Sequence, residues 1–269
     1  MHPKRRVSIG NEHVSFSVFS SYLVVCLWPS RNPNALCSLL SLNNSRILVF
    51  LPSYSLLKKC TEEWNPSRQH FQNYRDTSQS VWYRLMKSKY KVIVEPYGSQ
   101  DAFEAAKEEY TETIRTQGSC ILLAVYRGKM SEGVSFNDDN ARGVICLGLP
   151  FPNLFDRSIS AKKAYNDEQR LLRKRTDLLP GDEWYRQQAY RALAQALGRC
   201  IRHAADYGTL ILMDSRHCHE DGTPLSNGLS PAHVNLPKWM RFHVRNVSRT
   251  SPCMHHYAHA QVRSKYTLF

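Results

Sequence analysis

Ile47-Leu48-Val49-Phe50-Leu51 is an unbroken apolar run closed by Pro52. A strand with one wet face alternates apolar and polar residues, whereas a strand covered on both faces is apolar throughout. The run therefore predicts a buried strand of a parallel sheet. The same texture returns at Lys91 to Pro96, Cys120 to Tyr126, Gly143 to Leu149 and Thr209 to Asp214. Between these runs lie segments of helical character: Ser53 to about Glu63, the charged amphipathic stretch Asp101 to Arg115, and Trp184 to His203. Strands alternating with helices predict an α/β domain whose mainly parallel sheet is doubly wound. Residues 65–80 are polar and aperiodic and predict a surface loop. Val81 to Ser88 predicts a further helix, and Phe151 to Leu179 a charged, partly helical insertion. No internal repeat is visible.

The domain boundaries follow from texture. Residues 46–235 carry the pattern, residues 1–45 form an N-terminal extension, and residues 236–269 form a basic tail. A chain of 269 residues holds one ample core, or one domain with extensions. Its net charge of +13 invites a polyanion, but residues 1–45 contribute +3 and residues 236–269 contribute +6, leaving +4 for the middle. Basicity at two irregular ends supports nucleic-acid binding only weakly. Val18 to Trp28 is an apolar run too short to span a bilayer as a helix. After the basic start at Pro3 to Arg6 it imitates a secretory signal, and the same basic patch also fits nuclear import. A third reading makes residues 1–45 foreign to the fold and irregular. Pro237 to Phe242 predicts a short helix, and Val244 to Phe269 a mobile or loosely packed end. The eight cysteines show no CxxC pair and no zinc spacing, which points to reduced, buried thiols. His217-Cys218-His219 and His255-His256 lack a second pair of ligands at metal spacing.

Two stretches carry chemistry. In Trp184 to His203, with Asp182 as N-cap, a spacing of three and four residues puts Gln188, Arg191, Gln195, Arg199 and Arg202 on one helix face. Ala189, Leu193, Ala196, Leu197 and Cys200 fall on the opposite face and would dock on the sheet. Two amides and three guanidiniums suit a multiply charged oxygen ligand such as a phosphate chain. The second stretch, Arg127-Gly128-Lys129-Met130-Ser131-Glu132-Gly133-Val134-Ser135-Phe136, directly follows a strand, where α/β sheets place ligand loops. Its glycines permit close backbone approach.

Together these segments resemble a known family. Phe50 to Tyr54, Val92 to Pro96, Arg127 to Phe136, Gly148 to Asn153, Tyr190 to His203, Asp206 to Gly208 and Asp214 to Arg216 occur in the expected order. They are similar to motifs IV, V and VI of the second, RecA-like motor domain of iron–sulfur superfamily 2 DNA helicases, the Fanconi anaemia group J branch above all. The resemblance covers roughly two thirds of the chain. It implies a P-loop-NTPase-type lobe that works across a cleft from a first motor domain. No G-x-x-x-x-G-K-[ST] and no D-E-A-H occurs here. The family's phosphate cradle, magnesium ligands and four [4Fe-4S] cysteines would therefore belong to that other domain.

By the same resemblance, Arg199 and Arg202 act as arginine fingers on ATP held with Mg2+, and Gln195 contacts the γ-phosphate or the attacking water. Glu132, Gly133, Ser135 and Gly198 line the nucleotide, although Ser135 stands where many relatives carry Asp. Ser53, Tyr54, Arg127, Lys129 and Ser131 contact single-stranded DNA. The expected partners are single-stranded DNA and duplex junctions, the first motor domain and DNA-repair proteins, in the nucleus and without a membrane. The complete enzyme would move 5′ to 3′ in repair of crosslinks, breaks or stalled forks, and this chain alone would be inactive. The alternative is a non-catalytic product that binds nucleic acid or a partner.

Overall fold

The computed structural model describes residues 22–27, 46–64, 90–133, 140–201, 208–214, 234–241 and 244–247. Seven strands form one sheet: β1 Tyr22–Leu27, β2 Arg46–Leu51, β3 Lys91–Val94, β4 Cys120–Val125, β5 Gly143–Leu147, β6 Gly208–Met213 and β7 Val244–Val247. Their order is β3-β4-β2-β5-β6-β1-β7, and every neighbouring pair is parallel. Among the described residues six helices accompany them: α1 Tyr54–Trp64, α2 Gln100–Gln117, α3 Lys129–Gly133, α4 Arg157–Arg173, α5 Gly181–Leu197 and α6 Lys238–Arg241.

The side-chain period of two divides the central strand between two cores. Leu48 and Phe50 of β2 join Phe103, Tyr110 and Ile114 of α2 and Leu193 and Leu197 of α5 on one face. Ile47, Val49 and Leu51 meet Leu57 of α1 on the other. All six residues of β4 are buried. Helices on both faces of a parallel sheet make this the expected doubly wound α/β, RecA-like lobe. Chain direction reverses across the sheet: β2 leads through α1 past β4 to the edge strand β3, and β4 then leads past β2 to β5. Crevices at such switch points, beyond the carboxyl ends of strands, are where open α/β sheets hold ligands.

The elements differ from the sequence expectations in three places. Residues 22–27, assigned to an irregular extension, form β1, paired with β6 from Tyr22↔Gly208 to Leu27↔Met213. Val244–Val247, expected to be mobile, pairs in turn with β1 as β7. A strand left at the edge presents unpaired N–H and C=O groups, and each addition satisfies one such row. Both partners are remote in sequence, which is why local periodicity gives no sign of the pairing.

The third difference concerns α5. It begins at Gly181 behind Pro180, with no side-chain cap, and Asp182 lies in the first turn, 2.7 Å from Lys163 Nζ of α4. It ends at Leu197, not His203. Beyond it the Arg199 amide donates to Ala196 O (3.1 Å) and the Cys200 amide to Leu197 O (3.3 Å), so the chain tightens into turns. The reason is packing. Cys200 turns inward, its Sγ 3.7 Å from Ala141 O, and a Cβ on Gly208 would sit 2.1 Å from that sulfur. The expected insertion is α4 with its return to α5. Asp156 caps α4 through the Ser158 amide (2.8 Å), Asn166 Nδ2 donates to Leu179 O (3.1 Å), and the Gly181 amide donates to Asp167 Oδ1 (2.7 Å). Residues 65–80, the helix expected at Val81 to Ser88, and the His/Cys clusters lie outside the described residues.

Candidate functional site

Glu95 organises one corner of the carboxyl edge of the sheet. It directly follows β3 and is only 3% exposed. Its Oε2 accepts the Val125 amide at 2.7 Å, and its Oε1 accepts the Met130 amide at 3.0 Å and the Tyr54 hydroxyl at 2.8 Å. One carboxylate thus ties the end of β3 to the end of β4, the start of α3 and the start of α1. A buried acid without partners would be costly, and three donors offset that cost. Space is the second requirement: a Cβ on Gly128 would lie 2.5 Å from Glu95 Oε1 and 2.9 Å from Val125 O. Gly128 is glycine because a carboxylate and a carbonyl occupy the place of its side chain.

The corner presents cations. Arg127 adopts a left-handed conformation, φ 59°, and its guanidinium donates to Gln188 O of α5 at 2.6 Å. Lys129 Nζ reaches Gln100 Oε1 at 3.1 Å and Gly98 O at 3.4 Å. Of the expected DNA contacts, Tyr54, Arg127 and Lys129 are brought together here. The two serines also make contacts to the backbone. Ser53 Oγ accepts the Leu56 amide at 3.2 Å as the N-cap of α1, and Ser131 is 6% exposed with its hydroxyl donating to Gly128 O at 2.9 Å. Both hydroxyls are engaged by backbone, and Ser131 is shielded from any ligand.

Partial burial and the hydrogen bond to Glu95 push the Tyr54 phenol up from its usual range to about 12. A raised folded-state value favours the neutral phenol. Its stabilising contribution is complete below the unfolded tyrosine range near pH 10 and is lost as pH rises through about 12. Urea midpoints taken from about pH 9 upward should therefore fall further for the natural protein than for Tyr54→Phe.

The Arg/Gln cluster lies elsewhere. α5 runs antiparallel to the strands, from near the Arg127 corner at Gln188 to the amino edge of the sheet at Cys200, which lies beside Ala141 just before β5. At about 1.5 Å per residue, Gln195 lies roughly 10 Å and Gly198 roughly 15 Å along the axis from Gln188. Gln195 is exposed and Arg199 partly exposed. Arg199 stands in the turn after the helix, its amide donating to Ala196 O. Gly198 has φ −67°, a conformation open to any residue, and a Cβ there would press on Ala194 O at 3.3 Å. Glu132 is exposed on α3, and Gly133 ends that helix. Ser135 and Arg202 lie outside the described residues.

A family model described as the helicase C-terminal domain matches residues 36–232. The chain belongs to this family. It is 41% identical over 204 residues to the Fanconi anemia group J protein homolog of Gallus gallus, covering 74% of this chain and 14% of that protein. Regulator of telomere elongation helicase 1 homologs of Drosophila persimilis and Anopheles gambiae are each 38% identical, over 77% and 75% of the chain. The chain spans only 18% of each of those two proteins. These similarities agree with the family resemblance read from the motifs.

Gln195 carries an amide and Arg199 a guanidinium, side-chain types able to donate to an oxyanion. The chain does not fit an iron–sulfur cluster within the described residues. Cys120, Cys146 and Cys200 are each buried in the apolar core, and no group of three metal-binding side chains occurs among the described residues. The residue that motif spacing did not single out is Glu95. Its signal, a lone acid closing an apolar strand before proline, is present at Val92 to Pro96 but does not reveal the donors 30 to 41 positions away.

Proposed function

We propose that this chain is the second motor lobe of an ATP-dependent DNA helicase. In this reading the amino-edge cluster meets ATP held by a first motor domain, and the carboxyl-edge corner meets single-stranded DNA. Arg199 and Arg202 would neutralise charge building on the transferring phosphoryl group, with Gln195 orienting the γ-phosphate or the attacking water. Magnesium, when bound, neutralises phosphate charge, and its ligands would come from the first domain. A [4Fe-4S] cluster would likewise belong there.

The Arg127 and Lys129 cations would hold the phosphate backbone with little preference for sequence. Movement 5′ to 3′ in crosslink, break or stalled-fork repair in the nucleus, beside DNA-repair proteins, extends the proposal to the complete protein. Among the described residues no helix is long and apolar enough to cross a membrane.

The observation that most supports the reading is that α5 connects the two clusters, with Arg127 held at Gln188 in mid-helix and Arg199 in the turn just past its carboxyl end. Hydrolysis at one cluster and DNA grip at the other can then be coupled mechanically. The deciding experiment mixes the purified chain with a separately purified first motor domain and single-stranded DNA, and follows ATP hydrolysis. Hydrolysis is expected only on mixing. Hydrolysis by this chain alone refutes the division of labour. No activity on mixing, with DNA binding retained, favours a non-catalytic binding module.

A further inference from the structure

Resting on that reading of the carboxyl-edge corner, we propose that Tyr97 is a stacking platform for a nucleobase of single-stranded DNA. Tyr97 is 81% exposed, in contrast to the other aromatic rings of the corner. It packs edge-on against Tyr54, with ring centroids 5.0 Å apart and an interplanar angle of 64°. An edge contact with that exposure leaves ring area uncovered for a flat ligand. The support is stiff: Tyr54 is fixed to the buried Glu95 carboxylate by its hydroxyl at 2.8 Å.

The backbone is held on both sides of the ring. Two residues earlier Glu95 binds two amides. Two residues later Ser99 caps α2, its Oγ accepting the Ala102 amide at 3.3 Å. Gly98 makes the intervening turn at φ 93°. A ring held this way loses little freedom on binding, which favours stacking. The neighbours of Tyr97 identify the ligand class. Lys129 Nζ lies 3.4 Å from Gly98 O, and Arg127 stands two residues before it. A cation beside an exposed aromatic is the pairing that single strands require, with backbone charge neutralised and a base laid on a ring. An apolar protein partner would call for aliphatic neighbours, whereas the groups beside Tyr97 are the Tyr54 phenol and, at the adjoining Gly98 carbonyl, the Lys129 ammonium.

The test measures binding of a labelled oligothymidylate to the 269-residue chain across a salt series. Tyr97→Ala should weaken binding at least about fivefold, while Tyr97→Phe and Tyr97→Trp stay within about twofold. Stacking releases no counterions, so the salt slope of Tyr97→Ala should match that of the natural protein. Lys129→Ala should reduce the slope by about one. An oligonucleotide of abasic sites should bind the natural protein and Tyr97→Ala equally. If the natural protein binds but Tyr97→Ala binds as well as it does, stacking is overturned and the cationic corner stands. If the natural protein binds no oligonucleotide, both the stacking and the DNA reading of the corner fall.

Discussion

Glu95→Ala should lower stability by about 3 kcal/mol, which corresponds to a melting temperature lower by roughly 6–12 °C for a domain of this size. The substitution leaves the Val125 and Met130 amides and the Tyr54 hydroxyl facing a cavity where the carboxylate accepted them at 2.7–3.0 Å. Each buried donor without a partner costs about 1–3 kcal/mol, and water entering the cavity recovers part of the sum. Glu95→Gln separates charge from geometry. Its single carbonyl can keep Tyr54 and Met130 on the Oε1 side, but its NH2 then faces the Val125 N–H, donor against donor. An intermediate loss is expected, with the Tyr54 contact preserved. Thermal unfolding of the three proteins decides this. Equal melting temperatures for Glu95→Ala and the natural protein would remove Glu95 from the centre of the corner.

Arg199→Ala, assayed with the first motor domain and single-stranded DNA, should reduce ATP hydrolysis at least about a hundredfold, because fingers of this kind supply about three to five orders of magnitude elsewhere. Arg202→Ala belongs in the same series. The expected signature is a fall in kcat with DNA affinity unchanged, since Arg199 stands at the amino edge and the cationic corner at the carboxyl edge. The opposite pattern, weakened DNA binding with kcat intact, would show that the roles of the two ends had been exchanged. The local structure sharpens the prediction: Arg199 is held by its amide to Ala196 O in the turn after α5, so its reach is set by that turn.

The positions of β2 to β6 were legible to within a residue or two because burial on both faces leaves continuous apolar runs, whereas β1 and β7 were not. The apolar face of α5 was legible for the same reason, and Ala189, Leu193, Ala196, Leu197 and Cys200 are all buried. The end of α5 was not. Gly198 has backbone dihedrals compatible with a helix, and what halts the helix is Cys200 turning toward Ala141, a contact 59 positions apart. Glu95 escaped for a similar reason, since its donors come from three other elements. Ser131 was drawn toward DNA by its place in the loop, and only the geometry shows it buried with its hydroxyl donating to Gly128 O. Residue type at a strand end indicates what a side chain could bind, whereas hydrogen-bond accounting decides what it already does.

The pairing of β1 with β6 also sets a timetable. Tyr22 lies beside Gly208, so β1 must wait for a strand made about 186 positions later, while β2 and its neighbours can assemble in between. At about 5–20 residues per second, a ribosome needs on the order of ten to forty seconds to supply that partner. Loop-closure entropy adds little to the wait, because it grows only with the logarithm of length. Throughout this interval the nascent chain carries an exposed hydrophobic strand, Tyr22 to Leu27, with no edge to join. The wait ends when β6 emerges and pairs with β1.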